Sequence, residues 1–197
     1  DSIVFAEINP ANSLENCVLQ LAEYNQISIE LPVMLKNAGP MIPKRGFPQS
    51  EFEQRLENAQ GRMGKNDFDV LLFCTETEVR YFSGFHTQFW QSPTRPWFLC
   101  VPKSGKPVAV IPQIGEACMG RTWLDDIRVW NSPNPDDDGI SLLEDTLREL
   151  AGSGKRIGLL MGAETQLRMP LKDFKKLSVD LGSFEFRDTT ELIRSLR

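Results

Sequence analysis

The stretch WFLCVPKSGKPVAVI, running from Trp97 to Ile111, holds two short apolar runs separated by a polar, glycine-containing turn. Neither run alternates with polar residues, which is the pattern of strands buried on both faces. Lys103, Ser104, Gly105 and Lys106 supply the flexibility and solvation a reversal needs, so the two runs predict a hairpin, 97–101 against 107–111. Upstream, Asp69-Val70-Leu71-Leu72-Phe73-Cys74 reads as another buried strand. It is preceded by Phe52, Leu56, Ala59 and Met63 at helical spacing and followed by a short helix over 76–82. Downstream come a strand over 127–130, a helix with the stripe Leu143, Leu147 and Leu150 stopping at Gly152, and a strand over 157–161. A helix over 170–177, a strand over 184–186 and a helix starting at Thr190 complete the set. Ser50 with Glu53, and Ser141 with Glu144, have the spacing of capping boxes. Strands alternating with helices around one hairpin make an α/β domain with a mixed, mostly six-stranded sheet carrying helices on both faces.

The first residues read differently. Ser13 is placed to cap a helix whose apolar face is Leu14, Val18, Leu21 and Ala22, ending near Asn25. Pro32, Gly39, Pro40, Pro43, Gly46 and Pro48 then break regular structure. The chain therefore divides into an N-terminal helix and irregular arm over 1–46, a domain over 47–188, and the start of a further helix over 189–197.

Composition removes several classes of function. Among 197 residues, 22 Lys and Arg face 27 Asp and Glu, a net charge of -5, with a sequence pI near 5.1. Nucleic acid is excluded as a partner, because phosphate neutralisation needs a basic surface. No apolar run approaches the ~18 residues of a membrane span, so membrane insertion is excluded too. With 41% hydrophobic residues the chain can bury a real core. His86 is the single histidine, ruling out any site that needs two imidazoles. Cys17, Cys74, Cys100 and Cys118 form no C-x-x-C pair, which argues against structural zinc. Cys74 and Cys100 lie inside apolar runs as small hydrophobes. Unpaired cysteines and the lack of a leader fit the cytoplasm, and a chain beginning at Asp1 reads as trimmed from something longer.

Two chemical motifs come close and fail, and a third is left open. Gly152-Ser153-Gly154-Lys155 lacks the glycine six positions before its lysine and has Arg156 in place of the hydroxyl residue that binds Mg²⁺. Asn134 to Asp145 imitates a calcium loop, but a strand precedes it, and the plainer reading is an acidic loop feeding a helix N-terminus. A Cys–His pair built on His86 stays open, although nothing adjacent activates a thiolate.

The informative segment is EVRYFSGFHTQFWQSPTRPWF, Glu78 to Phe98, with seven aromatics, the single histidine and two arginines in 21 positions. Aromatics and arginine are enriched at binding surfaces, although large rings are core by default. Tyr81, Phe82 and Trp97 read as core. His86, Phe89, Trp90 and Arg95, in a Pro- and Gly-bounded loop, are equally readable as core or as binding residues.

Ser50-Glu51-Phe52 with Arg55 and Leu56, then Asp69-Val70-Leu71-Leu72, then Val79-Arg80-Tyr81-Phe82-Ser83-Gly84-Phe85, resemble the N-terminal domain of the creatinase, prolidase and aminopeptidase P superfamily. The closing Leu192-Ile193-Arg194-Ser195-Leu196-Arg197 is similar to the segment at which relatives enter a linker helix. The resemblance spans 47–197. It implies a non-catalytic domain whose partner is its own C-terminal catalytic domain, of pita-bread type, holding a divalent metal pair (Mn or Zn), with no catalytic residue, metal or cofactor in this chain. It also implies a homodimer in which this domain helps form the lid over the neighbouring subunit's active site, admitting a peptide or small amide substrate. Arg95, preceding Pro96-Trp97, matches the arginine that reaches the partner's substrate in creatinases. Trp90 or Phe89 is the nearest candidate for the lid aromatic of aminopeptidase P, and His86 lies beside them. An Xaa-Pro peptidase is the leading expectation. A creatinase, ectoine hydrolase or dimethylsulfoniopropionate lyase relative, a metal-free peptide-binding homologue, or a self-sufficient enzyme using His86 and a cysteine are the alternatives.

Overall fold

Along each central strand the side chains alternate between two separate cores, one on each face of a single sheet. In a computed structural model, which describes residues 46–92 and 95–197, β1 (Val70–Phe73) sends Leu71 and Phe73 to one core and Val70 and Leu72 to the other. β2 (Phe98–Pro102) and β3 (Val108–Pro112) divide their residues the same way, and every residue of the three strands is buried. This double burial is why their sequences are continuously apolar. The expected hairpin forms, with Phe98 opposite Val110 and Cys100 opposite Val108. β2 also pairs antiparallel with β1, Leu72 opposite Cys100. β4 (Asp126–Trp130) runs parallel to β3, β5 (Arg156–Leu159) parallel to β1, and β6 (Glu185–Asp188) parallel to β5. The order is β4-β3-β2-β1-β5-β6, the mixed six-stranded sheet expected. Only β2 opposes the common direction, so five strands end at the same edge.

The first core is closed by α1 (Gln49–Asn66) through Leu56, Ala59 and Met63, and by α2 (Glu76–Ser83) through Val79 and Phe82. Met119 of the short α3 (Glu116–Met119) joins it. The second is closed by α4 (Ile140–Ala151) through Ile140, Leu143 and Leu147, and by α5 (Leu171–Asp180) through Leu177. Leu192 and Ile193 of α6 (Thr190–Arg194) return to the first core. Gly46–Arg197 forms one compact unit. The helix expected after Ser13, and Cys17, lie outside the described residues.

The element ends differ from expectation in instructive ways. Neither capping box forms. α1 starts two residues earlier, after Pro48, and Glu53 accepts from the side-chain amide of Gln49 at 2.7 Å instead of folding back to Ser50. At α4 the cap is Asp137, whose Oδ1 accepts from the N–H groups of Ile140 and Ser141 at 2.9 and 3.0 Å, while Glu144 holds Arg148. Leu150 is only half-buried; Ile140, Thr146 and Ala151 extend the buried stripe. β5 stops at Leu159, leaving Met161 55% exposed. The last helix ends at Arg194 rather than running through 197. Two 3₁₀ turns, Gln88–Gln91 and Gln113–Gly115, and α3 carry no periodic signal long enough to foresee.

One stability gain follows directly. Gly64 lies within α1, and a Cβ added there would meet nothing within 4 Å. Gly64→Ala is expected to add about 0.5–1 kcal/mol by removing backbone freedom from the unfolded chain. A urea midpoint that does not rise would contradict this.

Candidate functional site

The parallel strands deliver their following loops to one edge of the sheet. From β1 the chain enters α2 on the first face, whereas from the adjacent β5 it enters α5 on the second. Connections that diverge from neighbouring parallel strands open a crevice, the usual ligand position in open α/β sheets. Two adjoining clefts lie here. One, about 380 Å³, is lined by residues including Thr75, Glu78, Thr165, Gln166, Arg194 and Arg197. The other, about 550 Å³, is lined by Glu76, Trp90, Gln91, Gln166, Leu167, Arg168, Met169 and Pro170.

In the first cleft Glu78 is only 4% exposed, and Arg197 Nη2 donates to its Oε1 at 2.6 Å. A buried carboxylate needs such a partner. The neighbouring residues are fastened as well: Tyr81 donates its hydroxyl to the Leu196 carbonyl at 3.0 Å, and Arg62 Nη2 donates to the Ser195 carbonyl at 3.1 Å.

The aromatic segment splits into an inner and an outer part. Phe82 and Trp97 are fully buried, as expected of core residues, and Tyr81 packs half-buried against the same core, edge-on to Phe82. Gly84, at φ 75°, ends α2 and lets the chain turn away, a conformation costly for other residues. Beyond it, Phe85 and Trp90 pack on Trp97 with ring centroids 5.4 and 5.9 Å away. Phe89 stacks on the same Trp97 at 6.0 Å but remains 40% exposed, against 9% for Trp90. His86 has 62% of its side chain exposed, with Nδ1 3.8 Å from Glu76 Oε1. Arg95 is half-buried, and its guanidinium has no hydrogen-bond or ion-pair partner among the described residues. The four candidates therefore sit on one loop in different settings: Phe89 and His86 face outward, Arg95 lies between, and Trp90 faces inward.

Sequence reasoning missed the residue that organises this loop. Arg168, in the loop after β5, donates Nη1 to the Arg95 carbonyl at 2.8 Å and Nη2 to the carbonyls of Ser92 and Phe89, the latter at 3.5 Å. Its guanidinium also lies 5.2 Å from the centre of the Trp90 ring. Its own N–H donates to Cys74 Sγ at 3.2 Å, pinning its backbone to the end of β1. Desolvation draws the guanidinium below its ordinary pKa. An arginine more than seventy positions away in sequence leaves no local signal in the aromatic segment.

The failed motifs resolve into structural roles. Gly154 sits where a Cβ would fall 2.2 Å from Asp69 Cγ, and the Asp69 carboxylate accepts from the Arg156 N–H at 3.0 Å. An aspartate thus occupies the turn that resembled a phosphate loop. In the acidic 134–139 loop, Asp137 caps α4, as the plainer reading anticipated. Among the described residues no group of three or more His, Cys, Asp or Glu side chains could hold a metal ion. Burial pushes the Cys74 thiol up to about 11 and the Cys100 thiol up to about 12, so neither forms an effective thiolate near neutrality. Cys118 is exposed, but its thiol meets the main-chain oxygen of His86, at 3.8 Å. No helix among the described residues is long and apolar enough to cross a membrane.

Comparison with known proteins agrees with this architecture. The family model for the creatinase/prolidase N-terminal domain matches residues 55–197. The chain belongs to this family. As a creatinase/prolidase N-terminal domain it is 24% identical over 166 residues to the uncharacterized hydrolase/peptidase y4tL of Sinorhizobium fredii, covering 81% of this chain and 40% of that protein. The chain thus spans about two fifths of that relative's length. A prolidase from Thermococcus sibiricus shares the fold with TM-score 0.62 at 18% identity, over 78% of this chain and 38% of that one. The creatinase/prolidase N-terminal domain of an X-Pro dipeptidase from Streptococcus pyogenes superposes with TM-score 0.57 at 15% identity, over 72% of this chain and 98% of that one. These likenesses establish the creatinase/prolidase fold; which residues act is a matter of the site's own geometry.

Proposed function

We propose that this domain is the non-catalytic N-terminal part of an Xaa-Pro peptidase-like metallohydrolase, working in the cytoplasm. Residues 189–197 lead toward a C-terminal catalytic domain. Chemistry there is supplied by a divalent metal pair (Mn or Zn). In a homodimer the loop carrying Phe89 and Arg95 lies over the partner subunit's active site and limits which substrates enter. The observation that carries this reading is the Arg95 guanidinium, unpartnered among the described residues on a loop whose backbone is tied down. A guanidinium offers a planar fork to a carboxylate, and a neighbouring aromatic face suits a proline ring. Phe89 supplies that face; Trp97, on which its ring stacks, supports it from below.

The test is hydrolysis of Xaa-Pro dipeptides under Mn²⁺ by the product of the complete gene, compared with this 197-residue chain. Activity confined to the longer protein supports the reading. Arg95→Ala in that protein is then expected to lower kcat/KM by about 30-fold, mostly through KM, equivalent to about 2 kcal/mol of a desolvated charged contact. Unchanged kinetics with a folded variant would remove Arg95 from the lid. Activity in the short chain would overturn the non-catalytic assignment.

A further inference from the structure

Three main-chain oxygens of the loop, those of Phe89, Ser92 and Arg95, converge on the Arg168 guanidinium. Carbonyls at the surface of a loop ordinarily face water. Turning them onto one cation from a distant segment fixes the positions of these three residues relative to one another, because a guanidinium presents its donors in a rigid planar fork. The same cation lies over the Trp90 ring, so the loop is gripped through both its backbone and an aromatic face. Arg168 is itself held, its N–H on Cys74 Sγ and its segment adjoining the ends of β1 and β5.

The division of labour between the two arginines follows from their donors. Arg168 directs its donors to carbonyls of this chain. Arg95 has its carbonyl held by Arg168 while its own guanidinium has no partner among the described residues. We infer that Arg168 is the positioning residue of the substrate-facing loop, setting the outward presentation of Phe89 and Arg95 while touching no substrate itself. Its role in specificity rests on the lid reading given above; the clamp itself does not.

The experiment separates the two. In the 197-residue chain, amide hydrogen exchange would be followed in peptides covering 86–97 and in peptides covering β1 and β2, for the parent, Arg168→Met and Arg168→Lys. Arg168→Met is expected to speed exchange of the loop by roughly ten- to a hundredfold while leaving the strands protected, the effect of losing charged hydrogen bonds locally. Arg168→Lys restores only part of the protection, since a point charge cannot serve three separated carbonyls. Unchanged loop exchange in Arg168→Met overturns the clamp, and so does equal loosening of loop and strands, which would mark general destabilisation.

The second arm uses the complete gene product and a double-mutant cycle on Xaa-Pro dipeptide hydrolysis. If Arg168 acts through Arg95, Arg168→Met raises KM, and adding it to Arg95→Ala lowers kcat/KM little further. Additive losses overturn the positioning role. Loosening of the loop with unaltered kinetics would leave the clamp standing and reject the lid reading. Absence of any hydrolysis by the parent would likewise reject that reading, with the exchange data alone deciding the clamp.

Discussion

Phe82→Ala is expected to lose about 3–5 kcal/mol of stability, enough to lower the thermal midpoint by about 10 °C or more. The ring is fully buried in the first core, stacked on Phe73 at 5.3 Å and met edge-on by Tyr81 at 4.9 Å. Its removal leaves a cavity whose walls cannot collapse easily. Phe73 belongs to the central strand β1, and the Phe82 carbonyl is held by the indole N–H of Trp123 at 2.8 Å. Both sides of the hole are therefore fixed by independent contacts, which places the loss toward the upper part of the range. Thermal or denaturant unfolding with a change under about 1 kcal/mol would show that the core repacks freely. Phe82→Leu should recover much of the loss, because it restores volume without the ring's shape.

Gly158→Val is the second large effect, with an expected loss above about 3 kcal/mol by overpacking. Gly158 lies in β5 beside β1, and even a single added Cβ would fall 2.3 Å from Thr189 Cγ2, 2.6 Å from Leu71 Cδ2 and 3.2 Å from Phe68 Cδ1. Side chains can sometimes swing aside, but these are confined. Thr189 is buried, and its hydroxyl donates to the Leu159 carbonyl at 3.0 Å, so rotating its methyl away sacrifices a buried hydrogen bond. Leu71 has no exposed surface at all. Relief must come from separating β5 from β1, which disrupts the parallel pair bordering the crevice. Gly158→Ala should show a smaller loss of the same origin. Parent-like melting of the valine variant would mean that the two strands can part without penalty.

The tight double-faced packing behind both predictions is also what makes the sheet legible in the sequence. Residues 97–111 announce their strands because burial on both faces leaves no room for polar residues, and a turn between two such runs leaves few choices of pairing. Phe82 and Trp97 likewise announce themselves as core by size and spacing. Helix caps are less legible. A backbone N–H can be satisfied by any nearby oxygen, so Asp137 captures the α4 N-terminus ahead of the Ser141–Glu144 pair. At the candidate site, the resemblance points to the loop but cannot say which aromatic turns outward. That choice depends on Trp97 beneath the loop and on Arg168 across it, contacts set by tertiary packing. Period and spacing describe neighbours along a chain. Arg168 binds Arg95 across 73 positions, and no periodicity reports on such a distance.

The fastening of Ser195, Leu196 and Arg197 to α1 and α2 has a practical consequence for spectroscopy. A spin label or fluorophore introduced near these positions would ride with the sheet instead of sampling a tethered cone, because Arg62, Tyr81 and Glu78 each hold one of the three residues. Distances measured from there to another site on the same molecule would then have narrow distributions. The width of such a distribution becomes a ruler for how rigidly the last turn is held to the sheet.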